Sequence, residues 1–188
     1  MNKERLIEQI HTIKNARRIY RDNGALFVIQ NPELFPILLE LIFENKTNIA
    51  IKSCWVLELV CMEKIDPIIP HLNYFTTNLN KPNHESMLRP LSKVCYFIIN
   101  EYRSSNYNEI KKNLTSKNKI QIIEANFDWL IDKHKIATQV FAMDTLYLLG
   151  SEFNWIHREL KLILEQNIIS GSAGYQVRAK RILKNLNL

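Results

Sequence analysis

Glycine is scarce in this chain: four residues of 188, at positions 24, 150, 171 and 174. Loops that cradle phosphate need clustered glycines, so that backbone N–H groups approach the anion, and neither a P-loop nor a GxGxxG run occurs. A GxSxG nucleophile elbow is missing as well. The three cysteines, Cys54, Cys61 and Cys95, are odd in number and form no CxxC. They fall inside apolar helical patterns, which predicts buried free thiols in a reducing compartment. A nucleophilic role for Cys54 or Cys95 requires a distant histidine folded beside it. His11, His71, His84, His134 and His157 form no HExxH and no i, i+4 pair with a carboxylate companion, so no sequence-local metal site is expected. No apolar run approaches the ~20 residues of a membrane span. The charged opening, Met1 to Arg5, leads into an amphipathic stretch instead of an export signal's apolar core. These absences predict a cytoplasmic protein with no cofactor, no metal and no membrane partner.

What remains is a helix-forming composition. Hydrophobic residues at 46% with 23% charged fit one folded domain spanning 1–188. Leu, Ile, Lys and Glu are common where Val, Thr and Gly are sparse, which favours helices over sheets. The formal charge of +6 leans toward an anionic partner, or simply reflects a Lys- and Asn-rich composition.

Taken in order, Leu6, Ile7, Ile10 and Ile13 predict an amphipathic helix over 3–14. A second follows over 17–29, with Asp22-Asn23-Gly24 as a turn or helix end. Asn31-Pro32-Glu33 reads as N-cap, first helical position and first-turn acid of a helix running to about Phe43. The stretch 44–48 is a polar turn, and helices are expected at about 49–64, from Asp66-Pro67 through Phe75, and at 85–102. Pro90 inside the last of these predicts a late start or a kink. Residues 103–117 are polar and basic, with Ile110 and Leu114 hinting at one short helical turn; they are either a functional loop or a harmless insertion. Two further pairs follow, 117–132 with 135–150, where Gly150 reads as a C-cap, and 154–167 with 173–187.

One ten-residue phrase recurs in the second helix of four pairs, starting at Ile51, Leu88, Val140 and Val177, spaced 37, 52 and 37 residues apart. Its first position is always branched and apolar, its seventh is Leu57, Val94, Leu146 or Leu183, and its second is Lys52, Arg89, Phe141 or Arg178. That spacing predicts an all-α fold, an α-solenoid of about five helix pairs with about 15 extra residues in its middle connection.

In such a stack, equivalent positions of the second helices lie side by side on the concave wall. Lys52, Arg89 and Arg178 then form a basic column, with Lys93 and Arg181 one turn along. Trp55, Tyr96, Phe141 and Asp144 complete the candidate binding face. Such a row suits phosphates or an acidic peptide, or it is a ladder that merely ties repeats together. Glu58 and Asp144 are either bases poised in a cleft or partners for those cations. Trp55, Trp129 and Trp155 are either stacking platforms or core residues. A protein partner is the first expectation, and nucleic acid on the same face is the alternative. Oligomeric state is not legible.

Helix pairs of this length, with proline near the first helix and a small or basic residue early in the second, resemble HEAT/ARM-type repeats, which implies a right-handed superhelix. The stretches Ser53 to Cys61, Leu88 to Lys93, Phe127 to Ile131 and Leu146 to Gly150 resemble a family of short bacterial helical proteins. Members of that family often bear the name adenylosuccinate lyase. The lyase superfamily's signature, Ser-Ser-x-Met-Pro-x-Lys-x-Asn, has no counterpart here. The only Ser-Ser pair, Ser104-Ser105, continues Asn-Tyr-Asn. In outline the chain also resembles HEAT-like alkylpurine DNA glycosylases, which would imply a carboxylate such as Asp144 beside an aromatic pocket.

Overall fold

A computed structural model describes residues 2–44, 48–132 and 134–186. Among them regular structure is entirely helical: α1 (Asn2–His11), α2 (Arg18–Gln30), α3 (Phe35–Glu44), α4 (Asn48–Glu63), α5 (Leu72–Thr77), α6 (Glu85–Tyr102), α7 (Glu109–Asn113), α8 (Ser116–Ile131), α9 (Ile136–Leu149), α10 (Asn154–Asn167) and α11 (Ala173–Leu186). Short 3-10 turns, Pro32–Leu34 and Asp66–His71, lead into α3 and α5. The turn expected at 44–48 falls, at 45–47, outside the described residues. No single helix is long and apolar enough to cross a membrane.

The second helices touch in chain order. α4 packs between α2 and α6, α6 between α4 and α9, and α9 between α6 and α11. Three of the expected first helices pack behind them, α3 on α4, α8 on α9, and α10 on both α9 and α11, whereas α5 packs chiefly against α8 and the 66–71 turn. Between the layers runs the core, with Leu38 and Ile42 from α3, Leu57 and Val60 from α4, Leu91, Val94 and Ile98 from α6, and Met143 and Leu146 from α9. These recur at helical spacing and are fully or almost fully buried, each worth about 1.5–3 kcal/mol of transfer free energy. Cys54, Cys61 and Cys95 lie in the same core, where burial pushes every thiol well above its ordinary pKa. None of them is poised as a thiolate.

At four places the structure overturns or refines a local expectation. Asp22-Asn23-Gly24 does not break α2: Arg18 and Asp22 pair across one turn at 2.9 Å, and Gly24 is buried in the helix. A Cβ at Gly24 would stand 2.8 Å from Val56 and 3.2 Å from Ile13, so glycine is there for the close approach of α4, not for a turn. Asn31 stands at the N-cap position before Pro32 and Glu33, but of the short 3-10 turn, and its side chain makes no capping bond there; its amide reaches back to the Phe27 carbonyl at 2.7 Å and closes α2. Gly150 does cap α9, its N–H donating to the Leu146 carbonyl at 2.9 Å, and it does so at φ −61°, without a left-handed turn. Pro90 does not delay α6, which begins at Glu85 and runs through it. A proline there removes the N–H that would bond the Ser86 carbonyl, and the Trp55 indole N–H donates to that carbonyl at 3.3 Å instead. Trp55 therefore ties α4 to α6 and relieves a defect that α6 carries within itself.

The extra segment is packed, not loose. Asn108 caps α7 by accepting from the Lys111 N–H at 2.9 Å, and Ile110 and Leu114 are buried. The short helix lies against α6 and the 66–71 turn.

Beyond it, Lys119 of α8 has a side chain only 7% exposed. Its ammonium donates to Glu152 and, at 2.9 Å, to Tyr102 Oη, which donates to Glu152 at 2.9 Å. The ammonium also lies 4.7 Å from the Tyr102 ring centre. Burial opposes both charges, but the mutual hydrogen bonds outweigh it: the Lys119 pKa is raised above 10.5 and that of Glu152 lowered below 4.5. Stability from Glu152 is thus present above pH 4.5 and lost as pH falls through its folded value. Stability from Lys119 is present below pH 10.5 and lost as pH rises through its folded value. Lys119→Met is expected to lower stability at pH 7 by about 1–2 kcal/mol, Glu152 being partly solvated. Urea unfolding across pH should show the acid limb below 4.5 flattened in the variant. An unchanged acid limb would contradict the coupling.

Candidate binding face on the second helices

The column predicted from the recurring phrase is assembled by contacts between successive second helices. On α4, Glu58 points into the seam with its side chain 3% exposed. From α6, Arg89 donates to both of its oxygens, at 2.6 and 3.3 Å, and Lys93 donates to Oε1 at 2.9 Å. From the other side, Arg21 of α2 stands 3.8 Å away. One buried carboxylate thus meets three cations. A forked guanidinium on a carboxylate fixes both partners in direction as well as distance.

The next acid is Asp144, on α9. Arg178 of α11 donates to one of its oxygens and Arg181 donates to the other at 2.7 Å. Arg178 is mostly buried, whereas the Arg181 side chain is 58% exposed. Both Asp144 oxygens therefore accept from guanidinium groups, which fixes the carboxylate in place between α9 and α11.

Between the two charge clusters the column is aromatic. Phe141 replaces the basic residue of the phrase, and the Lys93 ammonium lies 5.6 Å from its ring centre and 5.5 Å from that of Phe97. Tyr96 stands 6.0 Å from Phe141, ring centre to ring centre. Tyr96, Asp144, Tyr147, Leu148 and Arg181 line an open cavity of about 270 Å³. The resulting order across α2, α4, α6, α9 and α11 is cation, acid, cations, aromatics, acid, cations.

Of the predicted residues, Arg89 and Lys93 converge on Glu58, and Phe141, Tyr96, Asp144, Arg178 and Arg181 follow along the same row. Lys52 is half-buried and has no ion-pair partner among the described residues. Trp55 is half-buried and committed to the Ser86 carbonyl. Trp129 is core, and Trp155 stacks on Phe127, ring centres 5.7 Å apart, away from the column. Arg21, Phe97 and Tyr147 were not among the predicted set. Arg21 lies on α2, whose sequence matches the phrase poorly, so its place in the row was hidden. Among the described residues no group of three metal-ligating side chains comes together. Comparison with protein-family models and with curated proteins finds no match to this chain.

Proposed function

We propose that the chain is a right-handed α-solenoid of HEAT/ARM-like helix pairs that acts as a non-enzymatic scaffold, binding a protein partner across the wall of its second helices. The ordered contacts of α2, α4, α6, α9 and α11 support the solenoid reading. The observation that carries the choice of partner is the alternation of charge. Duplex phosphates call for an unopposed cationic track, but here Arg89, Lys93 and Arg178 are spent on carboxylates. A surface of paired charges interrupted by Tyr96, Phe141 and Tyr147 is closer in character to a protein interface, where aromatics and arginine are enriched. The cations outnumber the acids along the row, so the segment bound carries net negative charge.

A photo-reactive residue placed at Tyr96, with a control at Ile120 on the exposed side of α8, tests this in cells. Discrete protein adducts are expected at Tyr96 alone, and Lys52→Glu should deplete them without changing Tm. Binding to short DNA duplexes and to RNA across a salt series checks the nucleic-acid alternative. A log–log slope of roughly −2 to −3, flattened by Lys52→Glu, would replace the protein reading with that one.

A further inference from the structure

Two cavities of nearly equal size, about 260 and 270 Å³, open beside the charged column. Neither reaches the roughly 300–1,000 Å³ of a site that encloses a whole small molecule; each has room for one large side chain. The larger is the cavity lined by Tyr96, Tyr147 and Leu148. The other lies between α2 and α4, lined by Ala25, Leu26 and Ile29 from one and by Leu59 and Met62 from the other. Leu26 and Met62 are 52 and 36% exposed, so this is apolar surface open to water. Its rim carries Arg18 and Asp22, already paired, with Glu63 and Lys64, so the charges around it balance.

The recurring phrase puts the two cavities in register. Its ninth position is Leu59 on α4, Tyr96 on α6, Leu148 on α9 and Asn185 on α11. Each of these lines one cavity or the other. Equivalent positions on helices packed side by side in chain order face the same way. A second row, apolar as far as Leu148, therefore runs beside the charged one. The cation-rich seam falls between the cavities, where Arg21, Arg89 and Lys93 meet on Glu58. With neighbouring helix axes about 8–10 Å apart, the α2–α4 cavity stands roughly 20 Å from the one over α9. About six residues of extended chain, or about thirteen of helix, cover that span.

Resting on the protein-binding reading above, we propose that one acidic segment of the partner crosses the wall and seats an apolar or aromatic side chain in each cavity. Its carboxylates lie over the seam between them. Charge selects the middle of the segment: three cations meet one carboxylate at the seam, and acidic side chains offset the excess. Shape selects the ends, because a large side chain leaving water for a fitted pocket is what anchors an interface. Joining two anchors in one segment makes the second docking intramolecular, so neither cavity needs to bind tightly by itself.

The test places a photo-reactive residue at Leu26, beside the one at Tyr96, in the full chain in cells. The same protein adduct is expected from both positions. Mass spectrometry should place both cross-links within one stretch of about six to thirteen residues that contains acidic side chains. Leu26→Asp should cut the Tyr96 adduct about tenfold or more, the weight of one apolar side chain returned to water, and Leu26→Met should keep it. Met62→Asp, on the facing helix, is an independent second variant and should act like Leu26→Asp. Both positions are open to solvent, so Tm should stay within about 2 °C of the native value. Three results overturn the two-anchor segment while leaving the protein-binding face standing. They are an adduct at Tyr96 without one at Leu26, cross-links to separate or acid-free stretches, and a Tyr96 adduct that both aspartate variants leave unchanged. Absence of protein adducts at both positions overturns the two together.

Discussion

Glu58→Gln is expected to lose about 3 kcal/mol of stability, a fall in Tm of roughly 6–12 °C at this chain length. The amide keeps the shape of the carboxylate, so the loss is that of charge. Arg21, Arg89 and Lys93 converge on this one group, with side chains 14, 34 and 21% exposed. Without it, three partly desolvated cations are left facing one another. Removing one partner of a buried ion pair costs far more than the intact pair contributes over an apolar replacement. The estimate is set at the lower end of that range because Arg89 is partly open to solvent. Asp144→Asn should cost less, about 1–2 kcal/mol, since Arg181 can turn into water. Sodium chloride separates this from a simple packing defect: it screens the mutual repulsion of the cations, so raising it should recover more stability in Glu58→Gln than in the native chain. A Tm within about 2 °C of the native value, far less than a broken buried pair costs, would show that Glu58 is not the tie between α2, α4 and α6.

That prediction concerns a residue legible in the sequence, but only as one of two alternatives. The recurring phrase placed Glu58, Arg89 and Arg178 on second helices, and the expected bounds of α6, α10 and α11 agree with the observed helices over the described residues. What one dimension does not supply is depth. Whether Arg89 faces solvent or a carboxylate depends on the rotation of α6 against α4, set by packing of Leu57 and Val94 in the core. Tertiary contact also overrides local signals. Asp22-Asn23-Gly24 has turn composition, yet it continues α2 because Gly24 lets α4 come close. Pro90 has helix-breaking chemistry, yet α6 continues because Trp55 satisfies the carbonyl left behind. The Glu85–His134 pair was not legible at all. Its members are 49 residues apart and belong to no motif; only the meeting of α6 with the α8–α9 turn joins them.

Gly150→Ala should destabilise the protein by about 2 kcal/mol or more, lowering Tm by roughly 4–8 °C, where ordinary reasoning gives the opposite sign. Gly150 has φ −61°, a conformation alanine adopts without strain, and such a substitution commonly stabilises by about 0.4–1 kcal/mol through the unfolded chain. Here the space is already taken. A Cβ at Gly150 would lie 1.8 Å from His157 Cδ2 and 2.6 Å from its Cγ, so the imidazole as a whole must move. That ring closes the end of α9. Its Nε2 donates to the Tyr147 carbonyl at 2.8 Å, and it stacks on the Tyr147 ring with centres 5.6 Å apart. Tyr147 is in the last turn of α9, where carbonyls lack intrahelical partners, and Ser151 serves the neighbouring Leu148 carbonyl in the same way. Displacing His157 therefore removes a cap and a stacked pair together and loosens α10 from α9. A double-mutant cycle isolates this cause. In a His157→Ala background the alanine at 150 has room, and its effect should change sign, becoming neutral or stabilising. If Gly150→Ala costs as much without the imidazole as with it, the clash is not the reason for glycine at this position.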